Sequence, residues 1–405
     1  MHNYIARDGI PTRGHAARGA LVDFELNADQ RAFVDMATTF ADNELAPKAA
    51  EWDAEEVFPV EVLRKAGELG LCGLYAPESI GGLGLPRLDS ALVFEALSRG
   101  CTSTTAYISI HNMATWMVGQ YASAAVGEAL GPGLCSGQQL ASYCLTEPGA
   151  GSDAASLRTS AERDGDVYRL TGSKIFISGA GSTDLLVVMA RTGGPGPKGI
   201  SAFAVDADSA GITFGRKEEK LGWNCQPTRQ INFDQVEVPA ERILGNEGDG
   251  FRIAMAGLDG GRINIAACSL GTAQIALEQA RAYLLERKQF GRAIADFQAL
   301  QFRLADMATE LVAARQMVRL AASKLDLNDP DKTAYAAMAK RFATDVGYRV
   351  CDEALQLHGG IGYIREYPFE RYLRDTRVHR ILEGTNEVMR VLVARRLLDN
   401  ADALL

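Results

Sequence analysis

Two rhythms of apolar positions divide this 405-residue chain. Over residues 21–140 the spacing is helical. Asn27-Ala28-Asp29-Gln30 is close to a capping box, and Phe33, Met36, Ala37, Phe40 and Ala41 follow at three- and four-residue intervals. Further helices are expected over 88–99 and 103–121, punctuated by Pro59, Pro77 and the Gly81–Gly84 turn. Over 141–250 the period falls to two. Asp164-Gly165 is a hairpin signal between Leu157–Ala161 and Val167–Leu170. Leu185–Ala190 reads as a buried strand, and Ser201–Val205 follows a Gly/Pro loop at Thr192–Gly199. Ile231 and Phe233, then Val236 and Val238, alternate on either side of an expected bulge or turn. From Phe251 the helical period returns, over about 251–287, 297–327, 333–357 and 385–398, with Asn328-Asp329-Pro330 as a breaker. The expected fold is α+β and multidomain. A flexible N-terminal tail (1–20) precedes an N-terminal α-helical domain (21–140), a middle antiparallel β domain (141–250) and a C-terminal four-helix bundle (251–405). This is not the βα alternation of a doubly wound nucleotide fold.

Composition narrows the function classes. Apolar residues make up 47% and charged residues 23%, the balance of a globular protein. A net charge of −9 argues against a general nucleic-acid surface but leaves room for a local basic pocket around a phosphorylated ligand. Seven scattered cysteines without a CxxC pair fit reduced thiols in a cytosol-like compartment. The five histidines do not fall at metal-ligand spacing, so no metal site is expected. No run is apolar enough for a membrane span. Arg7, Arg13 and Arg18 admit a transit remnant, and with it the mitochondrial matrix. Asp8 and the broken pattern favour a disordered tail and a cytoplasmic protein.

Four stretches carry candidate chemistry. Glu383 precedes Gly384-Thr385, a good helix entry, and follows apolar Ile381 and Leu382. A carboxyl in such a pocket can serve as a general base with a pKa of roughly 6–7, though an acid that merely favours a helix dipole has the same pattern. The Tyr143–Asp153 loop resembles a dinucleotide fingerprint at Gly149-Ala150-Gly151, but a hairpin follows it instead of a helix. Its free N–H groups, with Thr146 and Ser152, suit a flat polar ring; a tight linking turn is the alternative. Arg287–Arg292 and Asp296–Gln301 flank a bundle turn where Arg287 and Gln298 could hold a diphosphate and an adenine. Gln356–Tyr363 ends a helix in three glycines where one suffices for a cap, which suggests backbone open to an anion. His358 there reads as a structural histidine.

Together these blocks resemble the acyl-CoA dehydrogenase family. They are L-T-E-P-G-A-G-S-D at Leu145–Asp153, F-I-S at Phe176–Ser178, R-K-Q-F-G at Arg287–Gly291, Q-L-H-G-G at Gln356–Gly360 and E-G-T-N-E at Glu383–Glu387. The likeness covers about residues 21–400. It implies a homotetramer, a dimer of dimers, with one FAD per subunit. Tyr143, Cys144, Leu145, Thr146, Gly151, Ser152, Phe176, Ile177 and Ser178 would line the flavin, with Thr385, Asn386 and Glu387 touching it from the same subunit. Arg287, Gln289, Phe290, Phe297, Gln298, Gln356, Leu357, His358, Gly359 and Gly360 would hold its pyrophosphate and adenine end, largely from the neighbouring subunit. Ser152, Asp259, Gly260, Gly261, Arg262 and Arg395 would contact the acyl-CoA.

The resemblance further implies that Glu383 removes the α-proton of the thioester while hydride leaves the β-carbon for the flavin. The Glu383 N–H and a flavin ribityl hydroxyl would stabilise the enolate oxygen, and an electron-transferring flavoprotein would take the electrons. Members that place the base on the first bundle helix would have it at Gly261, which carries no carboxylate, and Asp259 is two residues off. Phe176 replaces a common Trp, and Leu382 stands where straight-chain members carry Tyr. With Thr192–Gly199, Gly222–Thr228 and Gly260–Ile265, these departures resemble the branch acting on isobutyryl-CoA. Conversion to methacrylyl-CoA, a step of valine breakdown, is the expected reaction. The alternatives are another short-chain or 2-methyl-branched preference, or an oxygen-using or non-catalytic flavoprotein.

Overall fold

The structure, a computed structural model, describes residues 24–400 and 403–404, so the expected tail at 1–20 lies outside the described residues. The capping box forms as expected: Asn27 Oδ1 accepts from the Gln30 N–H and Gln30 Oε1 from the Asn27 N–H. It opens α1 (Ala28–Phe40), followed by α2 (Ala49–Glu55), α3 (Val60–Glu68), α4 (Arg87–Ser98), α5 (Thr102–Tyr121) and α6 (Ala124–Cys135). Helix α5 is buried around most of its circumference because it separates two cores. Tyr107 and Ile108 enter the helical one, and Met113, Ala114, Met117 and Val118 pack towards the sheet.

The strands are β1 (Ala141–Cys144), β2 (Ser160–Asp164), β3 (Val167–Ser178), β4 (Leu185–Arg191), β5 (Ile200–Asp206), β6 (Ile212–Lys217), β7 (Thr228–Pro239) and β8 (Ile243–Leu244). They form one eight-stranded sheet in the order β6-β7-β3-β2-β4-β5-β8, with β1 also on β4. The antiparallel expectation needs a correction here. Strand β1 runs parallel to β4, with Ala141 opposite Leu185, and Ser160 of β2 makes one parallel pairing with Arg191. Alternation reveals which face a residue takes, not the direction of the partner strand, so a four-residue strand gives no warning. The hairpin turn also shifts. Asp164 pairs with Val167, which makes Gly165-Asp166 the turn, and Gly165 takes φ +61°. Leu157 lies before the strand, in the core shared with helices. The bulge falls where expected: Asp234 and Gln235 oppose Thr171, between the pairs Leu170–Val236 and Gly172–Phe233.

Strand β4 explains how the sheet docks. Leu185, Val187 and Met189 face the helices, while Leu186, Val188 and Ala190 enter a core made of strand residues and the turns between them. The docking partner is α7 (Gly250–Glu286), the longest helix. Its Ile253, Ala254 and Leu258 join the sheet-side core; Ile263, Ala266, Leu270 and Ala273 join the helical core. A two-residue hairpin, β9 (Lys288–Gln289) and β10 (Arg292–Ala293), then leads to α8 (Gln298–Asp326), α9 (Lys332–His358), α10 (Phe369–Arg377) and α11 (Asn386–Asp399). Glycines set the helix spacing at two points: a Cβ on Gly271 would lie 1.9 Å from the Glu95 carbonyl oxygen of α4, and one on Gly347 2.9 Å from Ser269. Among the described residues no helix is long and apolar enough to cross a membrane.

Candidate active site

Glu383 sits on a turn built from several directions. Helix α10 and the single turn Val378–Arg380 bring the chain to it. Both are pinned by the loop before β7. The Trp223 N–H donates to Asp375 (2.6 Å), and Trp223 Nε1–H donates to His379 Nε2 (3.2 Å). That leaves His379 Nδ1 to meet Ser269 Oγ of α7 at 2.7 Å. Only glycine fits beside Trp223, since a Cβ on Gly222 would lie 2.6 Å from the Arg374 carbonyl carbon. Leu382 packs against Ala106, Trp223 and Ile265. Glu383 and Gly384 then take φ +55° and +87°. Thr385 caps α11 by accepting from the Val388 N–H (3.2 Å), as its sequence position predicts.

The Glu383 carboxyl lies on α7. A Cβ on Gly261 would be 2.5 Å from Oε2, so the glycine makes the space the carboxyl occupies. Oε2 is shielded from solvent and has no hydrogen-bond partner among the described residues. Burial pushes this carboxyl up to about 7, against the opposing charges of Arg262 and Lys340. It therefore changes from acid to carboxylate across neutral pH, as a general base should. Arg262 Nε donates to the Glu383 carbonyl oxygen (3.3 Å), and its Nη1 pairs with Asp259 (2.7 Å). Lys340 Nζ donates to the Gly384 carbonyl oxygen (2.7 Å) and to Asn386 Oδ1 (3.0 Å). The Tyr143 hydroxyl is buried and unpartnered, and the Glu383 charge adds to burial in raising its pKa.

Of the residues expected to touch acyl-CoA, Asp259 and Arg262 have their side chains engaged with each other and with Thr333 and the Glu383 carbonyl. A Cβ on Gly260 would be 2.3 Å from Arg87 Nη1, so its face belongs to that guanidinium. Gly261 lies under the base; Ser152 and Arg395 are exposed, Arg395 on α11.

The loop after β1 and the end of β3 form one frame. The Thr146 carbonyl accepts from the Ile175 N–H (2.9 Å), and Lys174, wholly buried, donates to the Leu145 carbonyl (3.1 Å) and to Glu147 (2.8 Å). Glu147 also accepts the N–H groups of Arg158 and Thr159. Above this frame Phe176 is 63% exposed at φ +59°, and nothing lies within 4 Å of a Cβ placed on Gly149 or Gly151. The side chains of Cys144, Leu145 and Ile177 are buried in the cores, so a ligand in this frame would meet their backbone. Ser178 is half-buried. Asn386 is likewise enclosed, by Lys340, Thr344 and Asp345, whereas Glu387 is exposed beside Arg390.

The remaining candidates cluster elsewhere. Arg287, Gln289 and Gln298 are exposed, and Phe290 is 93% exposed at the tip of the β9–β10 turn. Phe297 meets it edge-on at 6.0 Å and carries Arg292 over its face at 4.1 Å. Gln356, Gly359 and Gly360 are open at the end of α9, while Leu357 and His358 turn inward. The His358 ring lies between Tyr283 (4.4 Å) and Phe369 (3.7 Å), the structural position expected for it. That stacking places the ends of α7 and α9 side by side. Gly261 on α7 and Arg287 at its C-terminal cap stand 26 residues apart, about 39 Å at helical rise. One chain thus separates the base from this cluster.

The sequence matches the N-terminal domain of acyl-CoA dehydrogenase over residues 27–138, the middle domain over 142–236 and the C-terminal domain over 248–398. The chain belongs to the acyl-CoA dehydrogenase family. It is 54% identical to the mitochondrial isobutyryl-CoA dehydrogenase of Bos taurus and 53% identical to that of Dictyostelium discoideum, each alignment covering 92% of this chain and 90% of the relative. A chain solved in work on the electron transferring flavoprotein of Acidaminococcus fermentans superposes with a TM-score of 0.91 at 42% identity, over 94% of this chain and all of that one.

Three features of this family member escaped the sequence reading. Lys340 lies on the buried Ala-rich face of α9 (Ala336, Ala339, Ala343), where a lone cation at helical spacing was a usable signal. Lys174 and Glu147 form a buried pair whose partners are 27 residues apart and give no local sign. Arg87 is buried with Nη1 unpartnered among the described residues, its guanidinium carbon 3.6 Å from the Tyr75 ring centroid.

Proposed function

We propose that this chain catalyses α,β-dehydrogenation of a short branched acyl-CoA, with isobutyryl-CoA as the preferred substrate and methacrylyl-CoA as the product. The observation that carries this reading is the Glu383 carboxyl, sheltered, unpartnered at Oε2 and poised to ionise near neutral pH. In the carboxylate form it takes the α-proton. The Glu383 N–H, which donates to no backbone carbonyl among the described residues, would polarise the thioester oxygen. The aliphatic Leu382 leaves room beside the base for an α-methyl branch. One methyl group is worth only about 1–3 kcal/mol in a pocket, so slower turnover of 2-methylbutyryl- and butyryl-CoA is expected.

FAD, when bound, supplies the acceptor for the β-hydride. The fit of this chain to that cofactor rests on the exposed Phe176, the open faces of Gly149 and Gly151, and the unpartnered Tyr143 hydroxyl. Arg287, Gln298 and Gln356–Gly360 suit the pyrophosphate and adenine end. At about 39 Å from the base along α7 they would serve the cofactor of a neighbouring copy, in keeping with a homotetramer. An electron-transferring flavoprotein is the expected electron acceptor.

The test is an anaerobic titration of the FAD-loaded protein with isobutyryl-, 2-methylbutyryl- and butyryl-CoA, following flavin absorbance. Isobutyryl-CoA should bleach it fastest. A large advantage for butyryl-CoA overturns the acyl preference, and bleaching by none of them overturns the reaction. Fast reoxidation of the reduced protein by air would identify an oxygen-using flavoprotein instead.

A further inference from the structure

Two consecutive residues of the base turn have left-handed backbone, Glu383 and Gly384. For glutamate this conformation is strained and persists only where neighbouring contacts determine it. The carbonyls reveal what holds it: Arg262 from α7 takes the carbonyl of Glu383, and Lys340 from α9 takes that of Gly384. Two helices each contribute one cation to adjacent peptide groups.

The two cations differ in what else they meet. Arg262 is ion-paired with Asp259 at 2.7 Å, and its charge acts on the Glu383 carboxyl ahead of that of Lys340. Lys340 is 0% exposed, donates to two neutral oxygens and makes no ion pair among the described residues. A buried ammonium is far costlier to keep than a neutral donor that could hold the same carbonyl. Its charge therefore calls for a nearby anion, and among the described residues Glu383 Oε2 is the buried carboxylate oxygen without a hydrogen-bond partner. Burial lowers the Lys340 pKa to about 7, with the Glu383 charge the largest influence opposing that fall.

We propose that Lys340 is a positioning residue for the base: its N–H holds the Glu383–Gly384 turn, and its charge keeps the Glu383 carboxyl ionised in an otherwise dry site. This rests on Glu383 being the base, as proposed above. Glu383 is faced by Arg262 from α7, Lys340 from α9, Tyr143 from β1 and Tyr75 from the segment before α4. Lys340 is faced by Glu383, by Arg262, by Asp345 one turn along α9, and by Glu387 at the start of α11. Asp345 is itself bound by Arg380 at 2.8 Å, and Glu387 is exposed, so Glu383 is the anion Lys340 acts on. When Glu383 takes the α-proton, the substrate C–H bond breaks and a carboxyl O–H forms. The same positive charge then favours release of that proton after turnover.

The functions of donor and charge separate in two variants. Lys340→Gln keeps a donor for Gly384 and removes the charge; Lys340→Met removes both. The measurement is the pH dependence of anaerobic flavin reduction by whichever acyl-CoA bleaches the wild type. In Lys340→Gln the acid limb should move up by about one pH unit with the plateau largely kept, and Lys340→Met should also lower the plateau. A readout independent of turnover is thermal unfolding against pH. The folded Lys340 releases its proton at a lower pH than the unfolded one, so the wild type gains stability between about pH 7 and 10, and both variants should lack that gain. If Lys340→Met does not fold, Lys340→Gln decides alone. A wild-type acid limb in Lys340→Gln overturns the proposal. A wild type that no acyl-CoA bleaches removes the base and this role together, whereas a normal wild type with an unshifted variant removes this role only.

Discussion

The surroundings of Glu383 and the tip at Arg287–Gln298 are built on opposite principles. Around Glu383 nearly every polar group has its partner inside the chain: Arg262 with Asp259, Lys340 with Gly384 and Asn386, Trp223 with Asp375 and His379. Among the described residues, what remains unpaired there includes Glu383 Oε2, the Tyr143 hydroxyl and Arg87 Nη1, groups a substrate or a cofactor would meet. At the tip the reverse holds. Phe290 and Tyr363 are 93% and 80% exposed, and Gly359 and Gly360 border empty space. Exposed aromatic residues grouped with open backbone mark a surface that something covers. One region is closed by folding; the other is left open by it.

The largest expected effect tests the closed region. Glu383→Gln keeps the shape and removes the base, and flavin reduction by acyl-CoA should fall by about 10³-fold or more, with flavin content retained. Survival of the rate would show that the enclosed carboxyl is structural. Next in size is Phe290→Asp at the tip. It should lower oligomer mass in solution and weaken flavin retention roughly tenfold or more, while the acid limb set by Glu383 stays in place. A variant that assembles and holds flavin normally would show that the tip is not an assembly surface.

A third expectation uses the same carboxyl as a stability probe. The folded pKa, about 7, lies above the ordinary value of 4.5. The folded state thus holds the proton more tightly, and this stabilisation is full at acid pH and lost as pH rises through 7. Relative to Glu383→Gln, the wild type should lose on the order of 1–2 kcal/mol between pH 5 and 8, a figure reduced for partial exposure. Parallel pH profiles for the two proteins would rule this out.

These two regions were also unequally legible. Long apolar periods made α7, α8, α9 and α11 readable to within a residue or two, and the short blocks around Glu383 and Tyr143 identified the family. Helix α10 was missed because only Phe369 and Tyr372 of its nine residues are both apolar and buried. The parallel pairing of β1 was missed because its partner lies beyond an intervening hairpin. Lys340, Arg87 and the Lys174–Glu147 pair were missed for a common reason. A buried charge is defined by what surrounds it in space, and the sequence neighbours of these residues are not those surroundings.

Arg87 offers the smallest and most selective test of the enclosed region. Its guanidinium lies on the Tyr75 ring and beside Gly260, the residue next to the one that makes room for Glu383. From helix geometry and these two contacts, Nη1 and the Glu383 carboxyl are within about 10 Å. Tyr75 in turn accepts from Asn264 Nδ2 of α7 at 3.0 Å, so the ring cannot swing away to make room. An acyl group that grows in this direction is pressed onto an unpaired buried cation, while a three-carbon chain with one branch stops short of it. Arg87→Leu should then raise kcat/KM for hexanoyl-CoA relative to isobutyryl-CoA by a few-fold to tenfold, at unchanged flavin content. If the ratio does not move, the guanidinium lies outside the acyl path, and short-chain preference must come from Leu382 and its packing against Ala106 and Trp223.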